Sequence, residues 1–268
     1  MFAFVIALKS PQVSHSWEKV SQLFERCIKS VCNQTSNNFR VFVVCHEIPE
    51  IAFEHPHVTY IEVDFPIPFD LETKRLDKYR KQFTGLNYAR KLNPSHIMTV
   101  DADDCVSRHL VEFVEQHPEQ NGWFIDRGYV YREGRKSIFY KRKNFNQWCG
   151  TCNILRSDLH TYVESTELDF IDYRQFYTGH HRVALKMEAN ETPIKPLPFP
   201  GVIYIISHQD NLSNEQPKPG NSDALVKFTN PLSLCKKVLL NYRFLTLSIR
   251  DKFGLYNLSS SQKKTEDN

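Results

Sequence analysis

The sequence predicts an α/β protein with a mostly parallel sheet and flanking helices. Two observations carry that expectation. Short buried apolar runs alternate with stretches of helical period over the first hundred residues, and the fourth run leads straight into an acidic cluster.

Phe2 to Leu8 is a continuous apolar run closed by Lys9-Ser-Pro11, the pattern of a buried first strand. From Trp17, apolar residues recur at Val20, Leu23, Phe24, Cys27, Ile28 and Val31, which is helical spacing, with Ser14 or Ser16 available as the cap. Arg40–Cys45 and Val58–Val63 read as the second and third strands. Leu76, Tyr79, Phe83, Leu86 and Ala89 mark a second helix, stopped by Asn93-Pro94. His96–Val100 is the fourth strand, running into Asp101-Ala-Asp-Asp104. In such sheets ligands bind beyond the carboxyl ends of the strands, and the acidic cluster stands at one of them.

The second half is less regular. Gly122–Tyr131 and Ser137–Tyr140 flank a Glu133-Gly134 turn and read as a hairpin. A helix is expected after Ser157, a longer one from about Phe170 to Met187, and a strand over Gly201–Ser207. Residues 209–223 read as a polar loop. The boundaries that follow are a main domain over 1–228, a basic amphipathic helix over 229–254 with Lys236, Lys237, Arg243, Arg250 and Lys252, and a disordered tail over 255–268.

Composition sets limits. A net charge of +3 is too small for a nucleic-acid binder and compatible with an acidic ligand such as a nucleotide. The seven cysteines fall largely inside apolar segments, which suits reduced, buried thiols. Cys149-Gly-Thr-Cys152 has zinc-like spacing but no second pair. The start lacks a basic leader region and no apolar run is long enough to cross a bilayer, so the expected location is cytoplasmic. A peripheral contact with the inner membrane face is the sharper reading of the basic helix.

Asp101 and Asp103 stand two apart past a buried strand, so in extended geometry they point to one side. Paired hard carboxylates suit Mn²⁺ or Mg²⁺ that is also held by a diphosphate. An aspartyl phosphohydrolase also uses Asp-x-Asp, though normally on its first strand. No Gly-x-x-x-x-Gly-Lys-Ser/Thr loop is present for a nucleoside triphosphatase.

Over residues 2 to 215 the chain resembles the family 2 glycosyltransferases and their relatives with the GT-A fold, a nucleotide-diphospho-sugar transferase fold. The likeness lies in Cys27-Ile-Lys-Ser-Val-Cys-Asn-Gln-Thr35, Phe39-Arg-Val-Phe-Val-Val44, Asp77-Lys78 with Lys81 ahead of Tyr88-Ala89, Thr99-Val-Asp-Ala-Asp-Asp104 and Trp148-Cys-Gly-Thr151. His46-Glu47 stand where the family has an Asp that contacts the nucleotide base.

The resemblance implies a nucleotide-sugar donor held by Lys78, Lys81, Asp101, Asp103, Asp104, Gly150 and Thr151. It implies a metal at Asp101 and Asp103, completed by His208, with His180 and His181 as competitors. It further implies a catalytic base among the acids of Glu167–Arg174, Asp172 first and Asp169 second. Inverting transfer to a glycan or lipid-linked acceptor, in surface polysaccharide or glycolipid synthesis, is the activity it suggests. A non-catalytic sugar- or nucleotide-binding protein of the same fold and a metal-dependent phosphohydrolase are the alternatives.

Overall fold

The computed structural model describes residues 1–163, 176, 178–206 and 241–258. Its first seven-stranded sheet is ordered β10-β6-β9-β4-β1-β2-β3. At its centre β1 (Phe2–Ala7), β2 (Phe39–Cys45), β3 (Val58–Glu62) and β4 (His96–Asp101) run parallel. β6 (Gly122–Phe124) and β10 (Lys195–Pro196) pair parallel at the far edge, and β9 (Asn153–Arg156) lies antiparallel between β4 and β6. The α/β class and the mostly parallel sheet are as the sequence predicts.

Helices cover both faces because β1 is apolar on both. Phe2, Phe4 and Ile6 pack in one core with Phe24, Cys27 and Ile28 of α1 (Trp17–Cys32), while Ala3 and Val5 pack in another with Phe83, Leu86 and Ala89 of α2 (Leu71–Arg90). Ser16 caps α1 by accepting from the Lys19 N–H. Asp70 and Thr73 form a capping box at the start of α2.

A second, five-stranded sheet is ordered β12-β8-β7-β11-β5. It comprises β5 (Cys105–Val106), the hairpin β7 (Gly128–Arg132) and β8 (Ser137–Lys141), β11 (Val202–Ile206) and β12 (Tyr242–Phe244). The remaining helices among the described residues are α3 (Leu110–Glu115), α4 (Val183–Ala189) and α5 (Leu247–Phe253).

Several expected elements differ. The hairpin holds only from Gly128, because residues 122–124 join the other sheet beside β9. Gly122 sits there at φ 141°, with the Ile154 carbonyl oxygen 2.1 Å from where a Cβ would be. After Ser157 there is a single 3-10 turn, Ser157–Leu159, and His160 is extended. A continuous helix from Phe170 to Met187 is not formed: Gly179 is extended, His180–Arg182 make a 3-10 turn, and α4 starts only at Val183.

At the C-terminus a single basic helix gives way to a strand and a short helix. β12 pairs antiparallel with β8, and Thr246 then caps α5 by accepting from the Ile249 N–H. Phe253 and Leu255 are buried in the core of the second sheet, so the expected tail begins inside packed structure. Residues 207–240 and 259–268, and the expected loop over 209–223, lie outside the described residues. Among the described residues no helix is long and apolar enough to cross a membrane.

Candidate functional site

Ala7 is paired with both Val44 and Asp101, so β1, β2 and β4 end together. Because β9 runs antiparallel to β4, the segment that leads into it, Cys149–Cys152, arrives beside that same edge. The Asp101 backbone N–H donates to Thr151 Oγ1 at 2.9 Å, joining residues fifty apart in sequence.

The acidic cluster is a turn and not the extended segment expected. The Asp104 N–H donates to the Asp101 carbonyl at 3.1 Å. Asp101 and Asp103 are half-buried, whereas Asp104 is wholly buried. The Asp104 carboxylate accepts from Thr151 Oγ1 at 2.6 Å, from the Cys149 thiol at 3.2 Å and from the Ile205 N–H of β11 at 3.1 Å. Burial, with the nearby Asp103 and Asp101, pushes its pKa well above the usual carboxylate range, and the Thr151 and Ile205 donors oppose that. Asp104 is therefore turned inward, away from the donor it was expected to help hold. It pins the turn to β9 and β11, and Thr151, equally buried, is the other half of that pin.

α2 presents its first turns to the strand ends. Lys78 Nζ donates to Asp101 Oδ1 at 2.5 Å, with both side chains part-exposed. Lys81 is different: it is fully buried, donating to the Leu8 carbonyl and to Asp77 Oδ2, each at 2.8 Å. Burial lowers its pKa and the Asp77 charge raises it. The expectation that Lys81 meets phosphate does not hold in this arrangement, since its ammonium is spent on locking α2 to the end of β1. His46 joins the cluster, its Nε2 at 2.9 Å from the Phe65 carbonyl and 3.8 Å from Asp77 Oδ1.

Gly150 lies against Asp101, not beside an open approach: a Cβ there would stand 2.6 Å from Asp101 Oδ2. Trp148-Cys-Gly-Thr151 thus shapes the acidic site directly. Cys149 and Cys152 are free and buried, and burial holds both thiols well above the usual thiol range.

Of the candidate histidines, His180 is drawn to the site and His181 is exposed. The His180 pKa is lowered by burial and raised by the Asp101 charge. The structure also brings in residues with no motif of their own. Asn153 donates to the His180 carbonyl at 3.0 Å, and Thr99 lines the same cavity as Asp101 and His180. Only the proximity of Asn153 to the Trp148–Thr151 segment, and of Thr99 to the acidic cluster, could have signalled them. Asp169, Asp172 and His208 lie outside the described residues.

Half-buried carboxylates at one turn, one of them already holding an ammonium group, are a donor set that fits a hard divalent cation. Among the described residues no three His, Cys, Asp or Glu gather to hold a metal.

No family model matches the chain, and no curated protein matches it in sequence. Solved structures do show a likeness. The complex of S. aureus TarS 1–349 with UDP is 11% identical at a TM-score of 0.41, over 77% of this chain and 60% of that one. Its complex with UDP-GlcNAc is 9% identical at 0.43, over 89% and 64%. A putative nucleotide-diphospho-sugar transferase from Desulfovibrio desulfuricans is 9% identical at 0.36, over 89% and 95%. The chain thus spans less than two thirds of those TarS chains, and at these scores the likeness assigns no chemistry.

Proposed function

We propose that the chain is a glycosyltransferase of the GT-A type, moving a sugar from a nucleoside-diphosphate donor to a glycan or lipid-linked acceptor. The observation that carries this reading is the Asp101–Asp103 turn at the carboxyl end of a central parallel strand, with the Lys78 ammonium on Asp101. Ligands of doubly wound sheets bind at such an edge, and a diphosphate needs the positive charge that this turn is built to hold.

Asp101 and Asp103 would hold Mn²⁺ or Mg²⁺, which when bound neutralises the charge growing on the departing diphosphate. Lys78, part-exposed like Asp101, would turn from that carboxylate to a phosphate oxygen. Asp172, with Asp169 as runner-up, takes the acceptor hydroxyl's proton as the oxygen forms its bond to the anomeric carbon. The bond from that carbon to the diphosphate breaks in the same displacement, which inverts the configuration.

A thermal-shift panel of nucleoside diphosphates with and without Mn²⁺ tests the donor site. A ligand of the folded state raises Tm by an amount set by its concentration over its Kd. The reading expects a metal-dependent rise with one base, lost in Asp103→Ala. No rise with any diphosphate would remove it in favour of the binding-protein or phosphohydrolase alternatives.

A further inference from the structure

A cavity of about 150 Å³ runs from Asp101 along the α2 side of the first sheet, bounded by α2 and α4. Its lining is divided between apolar side chains (Phe83, Leu86, Leu155) and polar ones (Thr99, Asn153, His180). Mixed linings of this kind orient a ligand through a few fixed polar groups.

Two of those polar groups are incomplete. Asn153 Nδ2 donates to the His180 carbonyl at 3.0 Å and to Cys152 Sγ at 3.2 Å, which fixes the amide orientation. Its Oδ1 is buried with no hydrogen-bond partner among the described residues. The His180 ring faces the Gln147 backbone as a hydrogen-bond donor, while its buried Nε2 has no partner among the described residues. With Nδ1 as the donor, Nε2 carries a lone pair. Both unpaired atoms are therefore acceptors, and a buried acceptor is costly to leave unmatched. A ligand that satisfies them must bring hydrogen-bond donors. The Asp101 carboxylate disfavours an anion in the cavity, and Lys78 and Lys186, which also line it, disfavour a cation.

We propose that this cavity takes a neutral sugar ring, its hydroxyls donating to His180 Nε2 and Asn153 Oδ1 and its C–H face lying on Leu86 and Leu155. The assignment rests on the transferase reading for the ring's partner in reaction, and the ring belongs to either the nucleotide donor or a free acceptor. His180 and Asn153 act as specificity residues. They reward a hydroxyl pair and reject a deoxy sugar that leaves them unpaired.

The experiment uses the full chain and saturation-transfer NMR titrations in two arms. One arm uses methyl glycosides of hexoses and N-acetylhexosamines. The other compares nucleotide sugars with their nucleoside diphosphates. In the arm that holds the true source, His180→Leu weakens sugar-dependent binding about tenfold and His180→Gln, which keeps an acceptor, stays within about threefold. Nucleoside diphosphate affinity, read without added metal, is unchanged in both variants. Thr99→Leu, which fills the cavity from β4, gives the same loss should His180→Leu fold poorly.

Sugar-dependent binding that is absent in the wild type, or as strong in His180→Leu and Thr99→Leu as in the wild type, overturns the assignment. So does a parallel loss of diphosphate affinity in His180→Leu, which marks a merely structural role. Diphosphate binding without His180-dependent sugar binding defeats this inference alone. A glycoside that binds through His180 when no diphosphate binds defeats the transferase reading and leaves the cavity assignment standing.

Discussion

Gly150 and Asp101 are in contact across the junction of β4 and β9, and the space a methyl group would take at Gly150 is already filled by Asp101 Oδ2, 2.6 Å away. Gly150→Ala must therefore rotate the carboxylate off its rotamer and away from Lys78. The stability cost of such a rotation is about 1 kcal/mol. The functional cost is larger: diphosphate affinity in the presence of Mn²⁺ should fall about tenfold, as read by titration calorimetry. A variant with unchanged affinity would show that Asp101 does not hold the donor.

Lys78 and Asp101 form a part-exposed pair, so Lys78→Met should change stability by less than about 1 kcal/mol in urea unfolding. Its diphosphate affinity should nonetheless drop several-fold, and the salt dependence of binding should weaken with the lost charge. An unaltered salt dependence would leave Lys78 no role beyond the ion pair.

Lys81 and Asp77 form the contrasting case, a pair with side chains 1% and 9% exposed. Lys81→Ala strands the Asp77 carboxylate in the interior and should destabilise by about 3 kcal/mol. Lys81→Met combined with Asp77→Leu removes both charges and should restore most of that loss. Denaturant midpoints of the two variants decide it. Equal midpoints would mean the pair is better solvated than its burial indicates.

His160 gives the fold a pH dependence. Burial lowers its pKa from 6.5 to about 4, opposed by contacts with the Ile97 and Leu155 backbone. The unfolded chain binds this proton below about pH 6.5 and the folded chain does not, so stability is full above that value and is lost as pH falls toward 4. The loss should be about 2 kcal/mol, since partial exposure of the residue screens some of the shift. In His160→Gln the stability curve between those pH values should be flatter. A curve with the wild-type slope would place the titration on another group.

The sequence disclosed the parallel half well, because β1, β2 and β4 are nearly continuous apolar runs and α1 keeps a 3.6-residue stripe. It disclosed the second sheet poorly. β5 is two residues long and β12 three, too short for any period to register. At the site, Asp101 was legible from its strand-end position and Lys78 from its place in α2. The burial of Lys81 and Asp104 was not, since it depends on Leu8, Thr151 and Ile205, all remote in sequence. No local pattern separates a part-exposed aspartate at the strand end from its neighbour three positions on that faces a backbone N–H.

The Asp104 carboxylate joins three stretches of chain that belong to both sheets: the turn after β4, the approach to β9 and the strand β11. It works as a rivet through two plates. Neither sheet can slide on the other without dragging the acidic turn along. A fragment that ends after β4 would carry Asp101 and Asp103 but not the fastener that aims them. Transplanting this edge into another scaffold would require moving Cys149, Thr151 and Ile205 together with it.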